Sequence, residues 1–286
     1  MTGATGSVGA HVVRGLCERG IPTRVLVRDA SASPPGAEPV VGDFADPPSL
    51  ARAVRGVDRV FLACGNVPGQ VAYECAAVDA ARVAGVERVV KLSGPHPSPD
   101  SPLVFERWHA QIEQHLLSSG VPWVLLRPRT FCTNLLASAA AVAEGVLPAP
   151  AGDCRIAYVD PRDVAACAVA ALTADGPAGG VWEPSGPEAL SHARIAEELS
   201  AATGRPVQYV DLPEDVARAG MLGAGLPGEV VEFVLRFFAG ARAGTVDTSA
   251  TGAVRALTGH DARPFAEFAR ERAAAFGRSP VRAAAT

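Results

Sequence analysis

Thr2-Gly3-Ala4-Thr5-Gly6-Ser7-Val8-Gly9 opens the chain with glycines at the spacing G-x-x-G-x-x-G, and helical periodicity runs on through 7–19. Glycines permit a tight turn and a close backbone approach to a pyrophosphate. The unpaired N–H groups that begin the helix add donors and a partial positive charge. The stretch therefore predicts a dinucleotide phosphate loop made by Gly3, Thr5, Gly6, Ser7, Val8 and Gly9. A tight strand-to-helix turn without ligand has the same residues, so the neighbouring sequence must decide. One neighbouring feature is anomalous: only Met1 and Thr2 precede Gly3, where a central strand takes about 5–6 residues. The shortage fits an upstream strand lost through a misplaced start. A chain extended upstream is then expected to bind its cofactor more tightly.

Outward from the loop, strand-like runs at 23–27, 39–41, 59–63, 88–92 and 123–127 alternate with helical stretches at 7–19, 48–54, 67–84 and 103–118. That alternation marks βαβ units and predicts a Rossmann-like, doubly wound parallel α/β sheet. Gly20, Gly56, Gly85 and Gly120 each fall where a helix should stop before a strand. Beyond Arg127 the pattern loosens into a helix near 134–144, a short strand around 155–159, a helix at 161–172 and a break at 176–180. Helices at 192–203, 214–222, 228–238 and 265–276 follow with few strands. The expected division is an NAD(P)-binding domain at 1–150 with returning elements at 154–183, a smaller, mostly helical lobe at 184–276 covering the substrate, and a flexible tail at 277–286.

Composition narrows the function classes. With 286 residues, 48% hydrophobic and 20% charged, the chain has ample core, and a net charge of −4 with scattered arginines argues against nucleic acid. No apolar run reaches the ~18 residues of a membrane span. The absence of a basic-then-apolar leader points to the cytoplasm. Six cysteines without metal spacing read as reduced thiols, and no metal site is expected. Lys91 is the only lysine, which singles it out.

The second strand ends in Arg28-Asp29. An arginine there pairs with the 2′-phosphate of NADP, whereas an acid selects the free ribose hydroxyls of NAD. Arg28 comes first, so NADP(H) is preferred, and Asp29 keeps NAD(H) possible. Asp43 and Phe44, after the third strand, are placed to meet adenine, although a turn-capping Asp has the same sequence.

These residues add up to a resemblance. The chain resembles the NmrA-like atypical short-chain dehydrogenase/reductases, near the bacterial NAD(P)H-dependent quinone and azo-dye reductases. The stretches that carry it are 2–9, 25–29, 42–46, 80–93, 126–134, 158–164 and 185–190. It implies reduction of a quinone, enone or other carbonyl of a small apolar molecule. Relatives of the same kind include regulators that sense redox state through bound dinucleotide without turnover, and epimerase-like enzymes, so both readings stand beside the reductase. Monomer and homodimer are both open.

The resemblance puts a serine at Ser93, but Trp108-His109-Ala110-Gln111-Ile112-Glu113 replaces the expected Tyr-x-x-x-Lys. His109 and Glu113 are i and i+4, so a Glu-supported imidazolium is the candidate proton donor, and an ordinary surface pair is the alternative. Ala63, Cys64, Gly65, Lys91, Pro128 and Phe131 complete the expected cofactor contacts, with Lys91 reaching the cofactor or snorkelling at the sheet end. Phe131 and Asn134 are the expected substrate contacts, Phe131 having a core role as its alternative. Phe233, Phe237 and Phe238 recur at helical spacing and hint at an apolar, quinone-like substrate.

Overall fold

The computed structural model describes residues 1–175 and 179–277. Most of the break expected at 176–180 and nearly all of the tail expected at 277–286 lie outside the described residues.

The first stretch forms α1 (Gly9–Cys17), β1 (Arg24–Val27), β2 (Glu38–Val41), α2 (Pro47–Val54), β3 (Arg59–Leu62), α3 (Gln70–Val83), β4 (Arg88–Leu92), α4 (Val104–Ser118) and β5 (Trp123–Leu126). Then come α5 (Ala139–Ala143), β6 (Val146–Ala149), β7 (Arg155–Ile156), α6 (Pro161–Thr173) and β8 (Val181–Trp182). The chain ends in β9 (Leu190–Ser191), α7 (His192–Thr203), β10 (Gln208–Asp211), α8 (Glu214–Gly223), α9 (Gly228–Ala243), α10 (Ala253–Thr258), α11 (Phe265–Glu271) and α12 (Ala273–Phe276).

Two compact units result. The first comprises Met1–Pro128, Pro161–Pro184 and Gly252–Asp261. In it β1 pairs with β2, and β3, β4, β5 and β8 run side by side, all parallel. Met1 and Thr2 lie between these sheets. Leu26 N–H donates to Met1 O at 2.9 Å and Thr2 N–H to Phe61 O at 3.0 Å, so two residues hold the central position between β1 and β3. Thr2 then extends the ladder with its side chain: Oγ1 donates to Ala63 O and accepts from Ala63 N, both at 2.9 Å.

Apolar side chains fill both faces. Leu50, Val78, Ala81 and Leu116 from α2, α3 and α4 pack on Val60, Leu62, Val89 and Leu125. Behind the sheet α1 meets α6 so closely that a Cβ on Gly15 would lie 3.1 Å from Val169. Arg59 and Arg88, at the starts of β3 and β4, donate to the last carbonyls of α6, Leu172 O at 2.6 Å and Ala171 O at 2.8 Å. Those carbonyls have no intrahelical partner, and cations suit that end of a helix.

The second unit comprises Arg129–Asp160, Ser185–Thr251 and the described residues from Ala262. The boundary expected near 150 falls instead after Pro128, because β6 pairs in parallel with β10 and β7 antiparallel with β9. The segment around 139–156 thus builds its sheets with the C-terminal half. Its core gathers Leu147, Ile156, Tyr158, Ile195, Leu199, Phe265 and Phe268, and a satellite cluster of Ala217, Val231 and Leu235 joins α8 to α9. Helix α10 was not expected; Ala253 and Val254 are buried in the first unit, where α10 packs on α6.

Candidate active site

At the phosphate loop, close packing makes glycine obligatory. Gly3 has φ +62°, and a Cβ on it would stand 2.9 Å from Ala63 O. A Cβ on Gly9 would stand 2.0 Å from Gly3 O, far inside van der Waals contact. Gly6 N–H donates to Gly3 O at 3.0 Å and closes the turn. The first helical bonds of α1 run from Ala10 to Gly6 O and from Val12 to Val8 O, and no side chain caps the helix. Among the described residues, the amides of Ser7, Val8 and Gly9 are therefore without an acceptor. Such a cradle fits a pyrophosphate.

The end of β1 separates its two candidate charges. Asp29 Oδ1 accepts from Ser31 N–H at 2.9 Å, and that bond holds its carboxyl below the ordinary aspartate range. Arg28 is exposed and makes no ion pair among the described residues. The loop after β2 is tied up differently from the adenine contact expected of it. Asp43 Oδ1 caps its own turn by accepting from Ala45 N–H at 2.8 Å, and Ser49 Oγ bonds both the N–H and the carbonyl of Asp43. Phe44 stacks on Tyr73 of α3 with ring centroids 6.2 Å apart. Ala63 is buried against Gly3, Gly65 is exposed, and burial pushes the half-buried Cys64 thiol up to about 11, which keeps it protonated.

Lys91 does not snorkel. Its side chain is fully buried, forms an ion pair with the equally buried Glu74 of α3, and donates to Leu92 O at 3.2 Å. Gln70 Nε2 donates to the other Glu74 oxygen at 2.9 Å. With the ammonium held this way, the expected reach to a cofactor finds no support; Lys91 acts on its surroundings as a buried charge.

Helix α4 overturns the expected His109–Glu113 pair. Both side chains are buried, but Glu113 turns to the sheet, where Ser93 Oγ donates to its Oε1 at 2.6 Å. Arg127, next after β5, grips the same carboxylate through both oxygens, Nε to Oε1 at 3.0 Å and Nη2 to Oε2. The helical i, i+4 rule considers only partners along α4, and a guanidinium from the strand end outcompetes the neighbouring imidazole. His109 packs against Gly94, where a Cβ would lie 2.6 Å from its Cδ2, and its Nδ1 is buried with no partner. Burial, and then the charge of Lys91, push the imidazole down to about 3. A neutral ring replaces the expected imidazolium.

Pro128 is buried at the end of the first unit. Phe131 and Asn134 belong to the second, Phe131 half-buried in a bridge to Val159 and Asn134 exposed. Phe237 and Phe238 pack on the core of that unit around Tyr158 and His192.

An open glycine cradle at the start of α1, beside the carboxyl ends of parallel strands, defines a dinucleotide-binding α/β protein. The NmrA-like family matches residues 1–269, and the chain belongs to that family. It is 40% identical over 286 residues to an NAD(P)H azoreductase of Xenophilus azovorans, covering 97% of this chain and 98% of the relative. It is 42% identical over 285 residues to a (4-alkanoyl-5-oxo-2,5-dihydrofuran-3-yl)methyl phosphate reductase of Streptomyces griseus, covering 96% and 98%. The NADPH complex of an Escherichia coli quinone oxidoreductase superposes with a TM-score of 0.83 at 30% identity, over 94% of this chain and 98% of that one.

Of the residues brought together here, Gln70, Glu74, Gly94 and Arg127 were not expected. Arg127 had a signal, since it ends a strand next to the serine-bearing one. Gln70 and Glu74 had only their i, i+4 spacing and the presence of a single lysine.

Proposed function

We propose that this chain is an NAD(P)H-dependent reductase of the cytoplasm that prefers NADPH and reduces a quinone, an enone or another carbonyl of a small apolar molecule. The observation that carries the cofactor choice is the division of labour at Arg28 and Asp29: the carboxylate is occupied by Ser31 and the guanidinium is uncommitted. The family and the reductases among its relatives support the reaction class.

When bound, the nicotinamide supplies a hydride, and a quinone that accepts it needs one proton more. The loop amides of Ser7, Val8 and Gly9 hold the pyrophosphate, and Arg28 the 2′-phosphate. His109 acts as a neutral hydrogen-bonding ring and Ser93 orients the ligand at the end of β4. Glu113 serves as a positioning residue through Arg127 and Ser93. An electron-poor acceptor demands orientation more than acid strength, so the reaction proceeds without an imidazolium.

The test is loss of reduced-cofactor absorbance with a quinone panel, comparing NADPH with NADH. Oxidation of NADPH by at least one quinone, faster than of NADH, is expected. Tight NADPH binding with no oxidation by any acceptor would favour the non-catalytic sensor, a reading the replaced Tyr-x-x-x-Lys motif supports.

A further inference from the structure

A serine hydroxyl has one proton to donate and two lone pairs to accept with. At Ser93, buried at the end of β4, that proton goes to Glu113 Oε1 at 2.6 Å. The bond cannot run the other way while Arg127 grips both carboxylate oxygens, because a carboxylate paired with guanidinium only accepts. The backbone N–H of Ser93 is also taken, by Leu126 O at 2.7 Å. Ser93 therefore has no donor left for anything bound beside it.

We propose that Ser93 recognises a hydrogen-bond donor, an N–H or O–H borne by the bound ligand, and does not donate to the carbonyl oxygen under reduction; Glu113 and Arg127 are positioning residues that fix this polarity. The inference rests on the reductase reading for the identity of the ligand. Two ligands bring such a group: the nicotinamide, through its carboxamide N–H, and a substrate with an amino or hydroxyl substituent next to its reducible carbonyl. For the proton that completes reduction, Ser93 is excluded, and with His109 neutral the source is solvent.

Fluorescence titration separates the two sources. One arm compares NADPH with its 3-acetylpyridine analogue, which has no carboxamide N–H. The other compares 2-amino-1,4-naphthoquinone with 2-methyl-1,4-naphthoquinone on NADP+-saturated protein. In Ser93→Ala, an affinity loss of about tenfold confined to the donor-bearing member of one pair is expected, with Ser93→Thr restoring it. Loss on NADPH assigns the carboxamide, and loss on the aminoquinone assigns the substrate. Equal weakening of both quinones, the mark of a hydroxyl donating to the carbonyl, would overturn the proposal, as would no change in either pair. Glu113→Gln, which hands Ser93 an amide N–H and frees its proton, should abolish the discrimination. If that variant melts early, the Ser93 pair decides alone. Failure of the reductase reading shows separately, as wild-type protein that oxidises NADPH with neither quinone.

Discussion

The phosphate loop and the inner face of α4 treat polar groups in opposite ways. At the loop, the amides of Ser7, Val8 and Gly9 have no acceptor among the described residues, beside the exposed Thr5, Gly6 and Ser7. Behind β4, polar side chains are buried and largely answer one another, Lys91 with Glu74 and Gln70, Ser93 with Glu113 and Arg127. Open donors wait for a ligand, and satisfied ones fix geometry. On the buried side Gln70 Oε1 and His109 Nδ1 are unanswered, and His109 is the titratable exception, one turn from the fully bonded Glu113. An unmet polar atom in a closed network is where a ligand's hydrogen bond has most to gain.

The largest expected effect comes from opening the closed region. Lys91→Met leaves the buried Glu74 carboxyl without its cation, at a cost of about 3–5 kcal/mol in urea unfolding. Replacing both, as Lys91→Met with Glu74→Leu, should recover most of that stability, since an apolar pair of similar volume often matches a buried ion pair. Equal damage in the single and double variants would mean that packing, and not charge, is what the pair supplies.

Closing the open region comes next. In Gly9→Ala the new methyl meets Gly3 O at 2.0 Å, and the loop must rebuild. An overpacking cost of ~3 kcal/mol corresponds to about 100-fold weaker NADPH binding, readable by fluorescence titration. Gly6→Ala, whose Cβ would sit 3.3 Å from the same oxygen, should lose far less. Similar losses in both would break the steric account.

The two regions were not equally legible. Glycine spacing and strand–helix alternation identified the loop and the parallel sheet, because a phosphate turn is a local matter of a few consecutive residues. The division of the chain was misplaced because β6 and β10 lie about 60 residues apart and pair only through tertiary structure. At α4 the residues were found but their partners were not. His109 and Glu113 share a helix face, yet Glu113 bonds Ser93 and Arg127, 20 and 14 residues away. Lys91 was conspicuous as the only lysine, but nothing next to it in sequence announced Glu74, 17 residues earlier.

At the edge of the loop, Arg28→Ala should weaken NADPH by about 10–100-fold, the worth of a charge-assisted bond to phosphate of ~1.5–3 kcal/mol. NADH should be almost unaffected. Equal loss of both cofactors would place Arg28 on the shared half of the dinucleotide and remove the basis for NADPH preference.

The smallest effect tests the exception. His109 has a folded-state value of about 3 against 6.5 for the free side chain. Because the folded value is the lower, the unfolded chain takes up the proton first. The stability held by the neutral ring is complete above pH 6.5 and is lost as pH falls from there towards 3. His192, pushed down to about 4 mainly by burial, moves in the same direction. Each should cost about 2 kcal/mol between pH 7 and pH 5. Urea midpoints should fall over that interval in the wild type and fall by roughly half as much in His109→Gln. The rate of NADPH oxidation should show no ionisation near 6.5 traceable to His109, because the ring stays neutral throughout. A rate that rises on acidification with a midpoint near 6.5, and loses that rise in His109→Gln, would restore the imidazolium as proton donor. It would also mean that α4 is more open during turnover than its packing against Gly94 implies.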